Sequence, residues 1–83
     1  MSDWIQVGEG GVIDRRRVVA IGRVRSAPIL RLLKHTDPTR ILVLTYGYPR
    51  QSVLLLDNGY LAIVSIGLED LLKIYHGGEG DDK

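Results

Sequence analysis

The chain has 83 residues and no cysteine, which excludes a disulfide framework and a zinc site built from thiolates. Its first residues lack the basic stretch and apolar run of a secretory signal, and no apolar run approaches the roughly 18 residues that span a membrane. We therefore expect a cytoplasmic protein without a membrane partner. The net charge of +1 excludes a chain that is basic or acidic throughout, but the charges are unevenly distributed.

The basic residues are concentrated in the middle of the chain. Residues 15–50 hold nine of the eleven basic groups and a single acid, Asp37, so their local net charge is +8. The nine are Arg15, Arg16, Arg17, Arg23, Arg25, Arg31, Lys34, Arg40 and Arg50. Guanidinium groups attract phosphate at close range, even where distant acids cancel their charge in the total. This pattern favours a polyanion as the first partner to consider.

The first elements in chain order are a predicted hairpin and a strand. Two short apolar segments, residues 4–7 and 12–13, flank the glycines of residues 8–11, which suit a turn. Those glycines precede a strand and not a helix, so a plain turn is favoured over a phosphate-binding loop. Residues 17–24 are rich in β-branched side chains and predict a strand with a largely basic face.

A short helix is predicted next. Ser26 suits the N-cap position, and Pro28 falls in the first helical turn, where proline loses no helical hydrogen bond. The helix is expected to end at the step from Asp37 to Pro38, because the residue before proline is pushed out of helical geometry.

Three strands are then predicted in meander order, at residues 41–46, 52–57 and 60–66. Asn58 and Gly59 predict a tight turn between the last two. The strands do not alternate apolar with polar residues, which indicates burial on both faces. Since one short helix cannot cover both faces, we expect neighbouring subunits to supply the remaining cover.

A second helix is predicted from Leu68 to His76, ended by Gly77 and Gly78. The fold class is therefore α+β, a small antiparallel sheet with two short helices. We predict a single domain over residues 1–76 and a disordered acidic tail over residues 77–83. About 76 residues make a marginal core, and oligomerisation would supply the shortfall.

Catalytic and metal-binding chemistry find little support in the sequence. The two histidines, His35 and His76, fall in no recognisable motif, so a surface role is favoured over a catalytic or metal-binding one. We expect a protein that is not an enzyme. Around the turn after the fourth strand, Tyr46 is expected in the core, whereas Tyr48 is expected at a loop tip, where it could pack on a sugar or base.

Several motifs together resemble a known family. In order they are residues 8–13 (GEGGVI), 17–21 (RVVAI), 26–29 (SAPI) followed by Arg31, 45–47 (TYG), and the apolar strand that ends in Asp57. Over roughly residues 4–75 this set resembles the RemA-like family of bacterial regulators of extracellular matrix genes. The resemblance implies a DNA-binding protein that assembles into a ring-shaped homo-oligomer, a fold similar to LytTR-type DNA-binding domains, arginines displayed around the ring, and no cofactor.

The resemblance also assigns individual residues. A DNA-contacting arginine of the family falls on Arg17, and a proline with a structural or assembly role falls on Pro28. The family has two successive arginines after Thr-Tyr-Gly, where this chain has Tyr48 and Pro49, with Arg50 one position later. We expect Arg50 to compensate for this departure, with help from the neighbouring basic residues Arg15 and Arg16.

The sequence thus predicts an oligomeric transcription regulator that contacts duplex DNA phosphates and has no small-molecule substrate. The residues predicted to bind nucleic acid are Arg17, Arg50, Arg16, Arg15 and Tyr48. The alternative is a ring-forming assembly or adaptor protein whose arginines bind an acidic protein partner. Single-stranded nucleic acid, including RNA, is a third possibility. For any arginine taken singly, a solvated surface position is the simpler interpretation.

Overall fold

Six strands, two helices and two 3-10 turns make up the part of the chain that the computed structural model describes, residues 4–7 and 11–80, the last four by backbone alone. In chain order they are β1 (Trp4–Gln6), β2 (Val12–Asp14), a 3-10 turn (Arg15–Arg17), β3 (Val18–Arg23), α1 (Ala27–Lys34), a 3-10 turn (Pro38–Arg40), β4 (Ile41–Leu44), β5 (Ser52–Leu56), β6 (Leu61–Val64) and α2 (Leu68–Gly80). The predicted α+β class is confirmed. The similarity to LytTR-type domains stays a prediction.

The strands form two sheets. β1 and β2 pair antiparallel, with Ile5 opposite Ile13, which confirms the predicted hairpin. Residues 8–10 of its predicted turn lie outside the described residues. The second sheet has the order β3-β5-β6-β4. In it β3 pairs antiparallel with β5, which in turn pairs antiparallel with β6 through the predicted turn, where Gly59 has a φ of 88°.

The predicted meander of antiparallel strands is wrong at β4. This strand does not pair with β5, its successor in the chain, but runs parallel to β6, with Leu42 opposite Ala62. The sheet is therefore mixed. The physical reason is that β3 occupies the outer edge of β5, so the outer edge of β6 is the position left for β4. Residues 45–51 cross the end of β6 to reach β5, a separation of about 10 Å between strands two positions apart.

Elements of the same chain cover both faces of this sheet. On one face, the hairpin and α2 pack on a core cluster of Ile5, Val7, Ile13, Leu54, Ala62, Val64 and Leu71. On the other, side chains of α1 pack on Val53, Leu61 and Ile63. Burial on both faces is thus confirmed for β5 and β6. For β5 and β6 the expectation that neighbouring subunits supply the cover is wrong, because the hairpin and α2 together cover the face that α1 leaves open.

Three predicted element ends also differ. α1 ends at Lys34, and Asp37 instead caps the following 3-10 turn by accepting a hydrogen bond from the Thr39 amide at 3.0 Å. Ser26 occupies the N-cap position, but its hydroxyl donates to the Arg23 carbonyl at 2.9 Å and caps no helical amide. α2 continues to Gly80, past the predicted end, because glycine permits a helix to stop without forcing it to. Residues 81–83 of the predicted tail lie outside the described residues.

Candidate nucleic-acid interface

The arginines of the basic segment are divided between two ends of the sheet. Arg17 lies immediately before β3, and Arg50 lies shortly before β5. Because these two strands are antiparallel neighbours, the two arginines lie at opposite ends. A strand of six residues spans about 20 Å, so one protomer presents two separate basic regions. We call them the turn end (Arg15, Arg16, Arg17) and the cleft end (Arg23, Arg25, Arg50).

This division limits one expectation. Within a protomer, Arg15 and Arg16 cannot act on the same phosphate as Arg50, since the whole length of β3 separates them from it. Arg15–Arg17 and Arg50 belong to one basic segment of the sequence, but that does not determine the distance between them in space. The antiparallel register of β3 on β5 determines this distance.

At the turn end, Arg15 is tied to the fold. Its Nη1 donates a hydrogen bond to the Tyr75 carbonyl of α2 at 2.9 Å, and the side chain is half-buried. The contact links the 3-10 turn to the helix that covers this face of the sheet. Arg15 therefore has a structural role in addition to the predicted contact with nucleic acid.

Arg16 forms a two-pronged ion pair with Asp14. Its Nε donates to Oδ1 at 3.1 Å and its Nη2 to Oδ2 at 3.0 Å, while its backbone amide also donates to Oδ1 at 3.0 Å. The hydrogen bonds from Arg16 hold the pKa of the Asp14 carboxyl below its usual value. A phosphate bound by Arg16 would compete with this carboxylate.

Arg17 is the most available cation of the turn end. Its Nη1 lies 3.4 Å from Oδ1 of Asp57, and the Arg17 side chain is 59% exposed. A single long contact between exposed groups holds the guanidinium weakly. The backbone of this position is fixed, because the Asp57 amide donates to the Arg17 carbonyl at 2.8 Å. Arg17 is thus a rigidly placed and solvent-accessible cation.

The loop after β4 presents two tyrosines. The Tyr48 amide donates to the Thr45 carbonyl at 3.0 Å, and the two residues between them, Tyr46 and Gly47, have φ values of 56° and 87°. Positive φ at both central positions is typical of a type I′ turn. Tyr46 is 70% exposed and Tyr48 is 60% exposed. The predicted core position of Tyr46 is wrong, because the turn takes its ring away from the sheet, whereas Tyr48 is exposed as expected.

Arg50 lies in a cleft at the cleft end of the sheet. The cleft has a volume of about 500 Å³, and its lining includes Arg23, Arg25 and Arg50 together with residues 67–70, where α2 begins. Within the part of the chain that the structure describes, these three arginines make no side-chain hydrogen bond or ion pair. The sequence placed Arg23 and Arg25 on the basic face of the predicted strand but not among the residues predicted to bind nucleic acid. Their position beside Arg50 follows from the register that sets Arg23 opposite Ser52.

The remaining predicted positions lie on the surface. Pro28 is exposed in the first turn of α1, where no contact tests its predicted role in assembly. His35 and His76 are also exposed. Among the described residues, no three histidine, aspartate or glutamate side chains are grouped to hold a metal ion. No helix in the same residues combines the length and apolarity required to cross a membrane.

Apolar side chains are exposed on the two outer strands of the larger sheet. On β4, Leu42 is 39% exposed and Val43 is 51% exposed. On β3, Val19 is 63% exposed and lies where the pairing with β5 is irregular. Unpaired outer strands of this kind are templates for pairing with another chain.

Comparisons with known proteins all indicate the same family of regulatory proteins. Residues 4–73 match the family model named RemA-like, described as extracellular matrix regulatory protein A-like. A relative from Dictyoglomus turgidum is 31% identical over 80 residues, which cover 95% of this chain and 94% of the relative. A relative from Dehalococcoides mccartyi strain BAV1 is 28% identical, and the match covers 92% of this chain and 83% of the relative. A relative from Bacillus cytotoxicus is also 28% identical, and the match covers 82% of this chain and 79% of the relative. All three bear the name "Putative regulatory protein", which indicates regulation and not catalysis.

Proposed function

We propose, from the premise that this chain belongs to the RemA-like family, that it is an oligomeric transcription regulator that binds duplex DNA through arginines on its surface. The resemblance seen in the sequence is confirmed at the level of the family. The names of the relatives support a regulatory role, and binding to DNA is the proposed means. Such a protein would act in the cytoplasm, where bacterial DNA lies.

The observation that carries this proposal is the exposure of guanidinium groups at both ends of one rigid sheet. Arg17 and Arg50 are exposed and lie about 20 Å apart, so a protomer can contact two separate phosphates of a duplex. Arginine donates to two phosphate oxygens at once, and phosphate contacts set the position of a protein on DNA. Tyr48 lies in the same loop as Arg50 and could add a contact to a sugar.

Assembly into a ring would multiply these contacts. β3 and β4 are the outer strands of the larger sheet, and we propose that β3 of one copy pairs with β4 of the next in a head-to-tail arrangement. Head-to-tail contacts close into a ring when the rotation between copies allows it. The exposed apolar residues Val19 and Val43 would be covered by such contacts. A ring then binds DNA tightly through many individually weak contacts.

The proposal can be tested by fluorescence anisotropy with a labelled duplex at several salt concentrations. We expect the affinity of the wild type to fall steeply with salt, with a slope on logarithmic axes of about 0.9 per phosphate neutralised. Arg17→Ala should lower the affinity by about tenfold. Arg31→Ala, which removes an equal charge from the exposed surface of α1, is the matched control and should change it by less than about twofold.

A second candidate function is an adaptor that binds an acidic protein. The observation in its favour is that Arg16 and Arg17 already engage carboxylates of this chain, those of Asp14 and Asp57. An acidic partner would replace those carboxylates with its own. If the wild type shows no salt-sensitive binding to duplex DNA but binds an acidic peptide, the adaptor function is correct. A single-stranded oligonucleotide in the same assay tests the third possibility, since Tyr46 and Tyr48 are exposed for stacking.

A further inference from the structure

We infer that the cleft end of the sheet is a phosphate-binding site in which Arg23 and Arg25 act together with Arg50 on the backbone of duplex DNA. The inference rests on the proposed function and extends it to two residues and one site. Arg23 at the end of β3, Arg25 shortly after it and Arg50 in the loop before β5 line one cleft, although Arg50 is far from the other two in sequence.

The walls of the cleft are held in place by hydrogen bonds. The Val24 amide donates to the Gln51 carbonyl at 3.0 Å, and the Gln51 amide donates to the Val64 carbonyl at 2.9 Å. The buried Ser52 hydroxyl donates to the Ile66 carbonyl at 2.7 Å. These bonds join the end of β3, the start of β5 and the segment that leads into α2. The backbones that carry the three arginines are thus positioned before any ligand arrives, which reduces the entropy lost on binding.

The cleft end also differs from the turn end in the state of its guanidinium groups. In the described residues, no carboxylate lies within ion-pair distance of Arg23, Arg25 or Arg50, whereas Asp14 and Asp57 contact the turn end. A phosphate entering the cleft would therefore displace no existing ion pair. Several arginines around one phosphate can supply two parallel hydrogen bonds each.

Two acids moderate the charge of the cleft. Glu69 and Asp70 also line the cleft, so the lining carries three positive and two negative groups. Among the described residues neither acid forms an ion pair with an arginine, but both line the same cleft and weaken its attraction for an anion. Removing their charges should strengthen the binding of phosphate.

The exposure of the cleft favours a polymer over a small ligand. All three arginines are exposed, and the volume of about 500 Å³ is open to solvent. A small phosphorylated molecule would remain largely hydrated there, whereas sites for such ligands usually bury most of the ligand. A DNA backbone can contact the cleft and the neighbouring loop with Tyr48 at the same time.

The test compares two double variants of the full chain that lose the same charge. Arg23→Gln with Arg25→Gln removes two arginines of the cleft, and Arg31→Gln with Lys34→Gln removes two exposed charges of α1. We expect the first to weaken duplex binding by tenfold or more and to reduce the salt slope by about 0.9 for each cleft that engages DNA. The control should weaken binding by less than about threefold. Glu69→Gln with Asp70→Asn should tighten it.

Several outcomes would overturn the inference. If the cleft variant and the control weaken duplex binding equally, while circular dichroism and light scattering show unchanged folding and mass, the cleft is not a site and the proposed function stands. If the wild type does not bind duplex DNA at all, the proposed function fails as well. Calorimetry with inorganic pyrophosphate identifies one further outcome. If the wild type binds pyrophosphate saturably but does not bind duplex DNA, and the cleft variant does not bind pyrophosphate, the cleft is a site for a small phosphorylated molecule.

Discussion

Individual arginines of the basic segment differ in what they already bind. Arg15 holds a backbone carbonyl, Arg16 holds a carboxylate, and Arg17 only approaches one at 3.4 Å. Three consecutive identical residues thus have three different environments, because a 3-10 turn points successive side chains in different directions. A count of arginines overstates the number that can bind phosphate without cost.

The Arg16–Asp14 pair makes a prediction about pH. Because hydrogen bonds from Arg16 lower the pKa of Asp14 in the folded protein, their contribution to stability is present above the unfolded pKa of about 3.9. It is lost as the pH falls through the lower folded pKa. In Arg16→Gln we expect the pKa of Asp14 to rise towards its usual value. The loss of folding stability at low pH that is due to Asp14 should then become smaller.

The measurement is a carboxyl titration by NMR between pH 2 and pH 6, a range chosen to bracket the usual aspartate value. Asp37 provides the internal control. Its pKa is lowered chiefly by the Thr39 backbone amide, which the substitution does not touch, so its titration should stay unchanged. An Asp14 pKa that does not move in the variant would contradict the role given to Arg16.

The tyrosines show where residue-level prediction succeeds and fails. Exposure of Tyr48 follows from its position beside Gly47 and Pro49, which favour a loop. Exposure of Tyr46 could not be predicted from its apolar surroundings, because it depends on a positive φ that non-glycine residues rarely adopt. The signal in the sequence was the glycine that follows it, which suits the second central position of the same turn.

At the scale of elements, β3 and α1 approach each other closely at a glycine. A Cβ atom at Gly22 would lie 2.8 Å from Cγ1 and 2.9 Å from Cδ1 of Ile29, which packs on the core beside Val53. These distances are too short for any real contact. The absence of a side chain at residue 22 thus allows the helix to lie on the sheet.

We expect Gly22→Ala to destabilise the protein by about 1–3 kcal/mol, because it overpacks this contact. Chemical denaturation measures the effect. Ile29→Ala should itself be destabilising, but in the Gly22→Ala background it removes the clashing atoms, so the double variant should be more stable than the sum of the single effects predicts. Strict additivity would show that the two residues do not meet as described.

The elements could largely be predicted from the sequence, but their arrangement could not. Periodicity, the Asn58-Gly59 turn and the position of Pro28 located each strand and helix to within a few residues. The position of β4 depends on competition among strands for two free edges, which no local pattern records. Consecutive strands are neighbours in about two-thirds of cases, so the meander was the natural expectation and was wrong here.

At the scale of the whole molecule, the case for assembly rests on the outer strands and not on the sheet faces. The chain itself covers both faces of the inner strands β5 and β6, whereas Val43 on β4 and Val19 on β3 remain exposed. Lysine on an outer strand prevents pairing with another strand, because its charge would be buried. We therefore expect Val43→Lys to lower the oligomer mass measured by light scattering.

Leu30→Lys is the matched control for this prediction. Leu30 is 49% exposed on α1, so the same substitution there tests the effect of an added charge away from the outer strands. Both changes are at exposed positions and should alter the free energy of unfolding by less than about 0.5 kcal/mol. A mass that falls for Leu30→Lys but not for Val43→Lys would place the subunit contact on the helix.

The charge of the molecule was predictable in amount but not in distribution. The excess of positive charge in residues 15–50 is plain in the sequence, and it favours the same class of partner before and after the fold is known. Its division into two regions follows from the antiparallel pairing of β3 with β5, which joins residues as far apart in sequence as Val18 and Leu56. The three-arginine cleft could therefore not have been located from sequence.

The strand order also has a consequence for biosynthesis. In the described residues, the only strand that pairs with β3 is β5, and the only strand that pairs with β4 is β6. Both partners come later in the chain. When the first fifty residues have left the ribosome, β3, α1 and β4 are present but the strands that β3 and β4 pair with are not. Apolar strands without a partner are prone to aggregation. The tight β5–β6 hairpin forms locally within microseconds of its release, so its emergence sets the moment at which the nascent protein can fold.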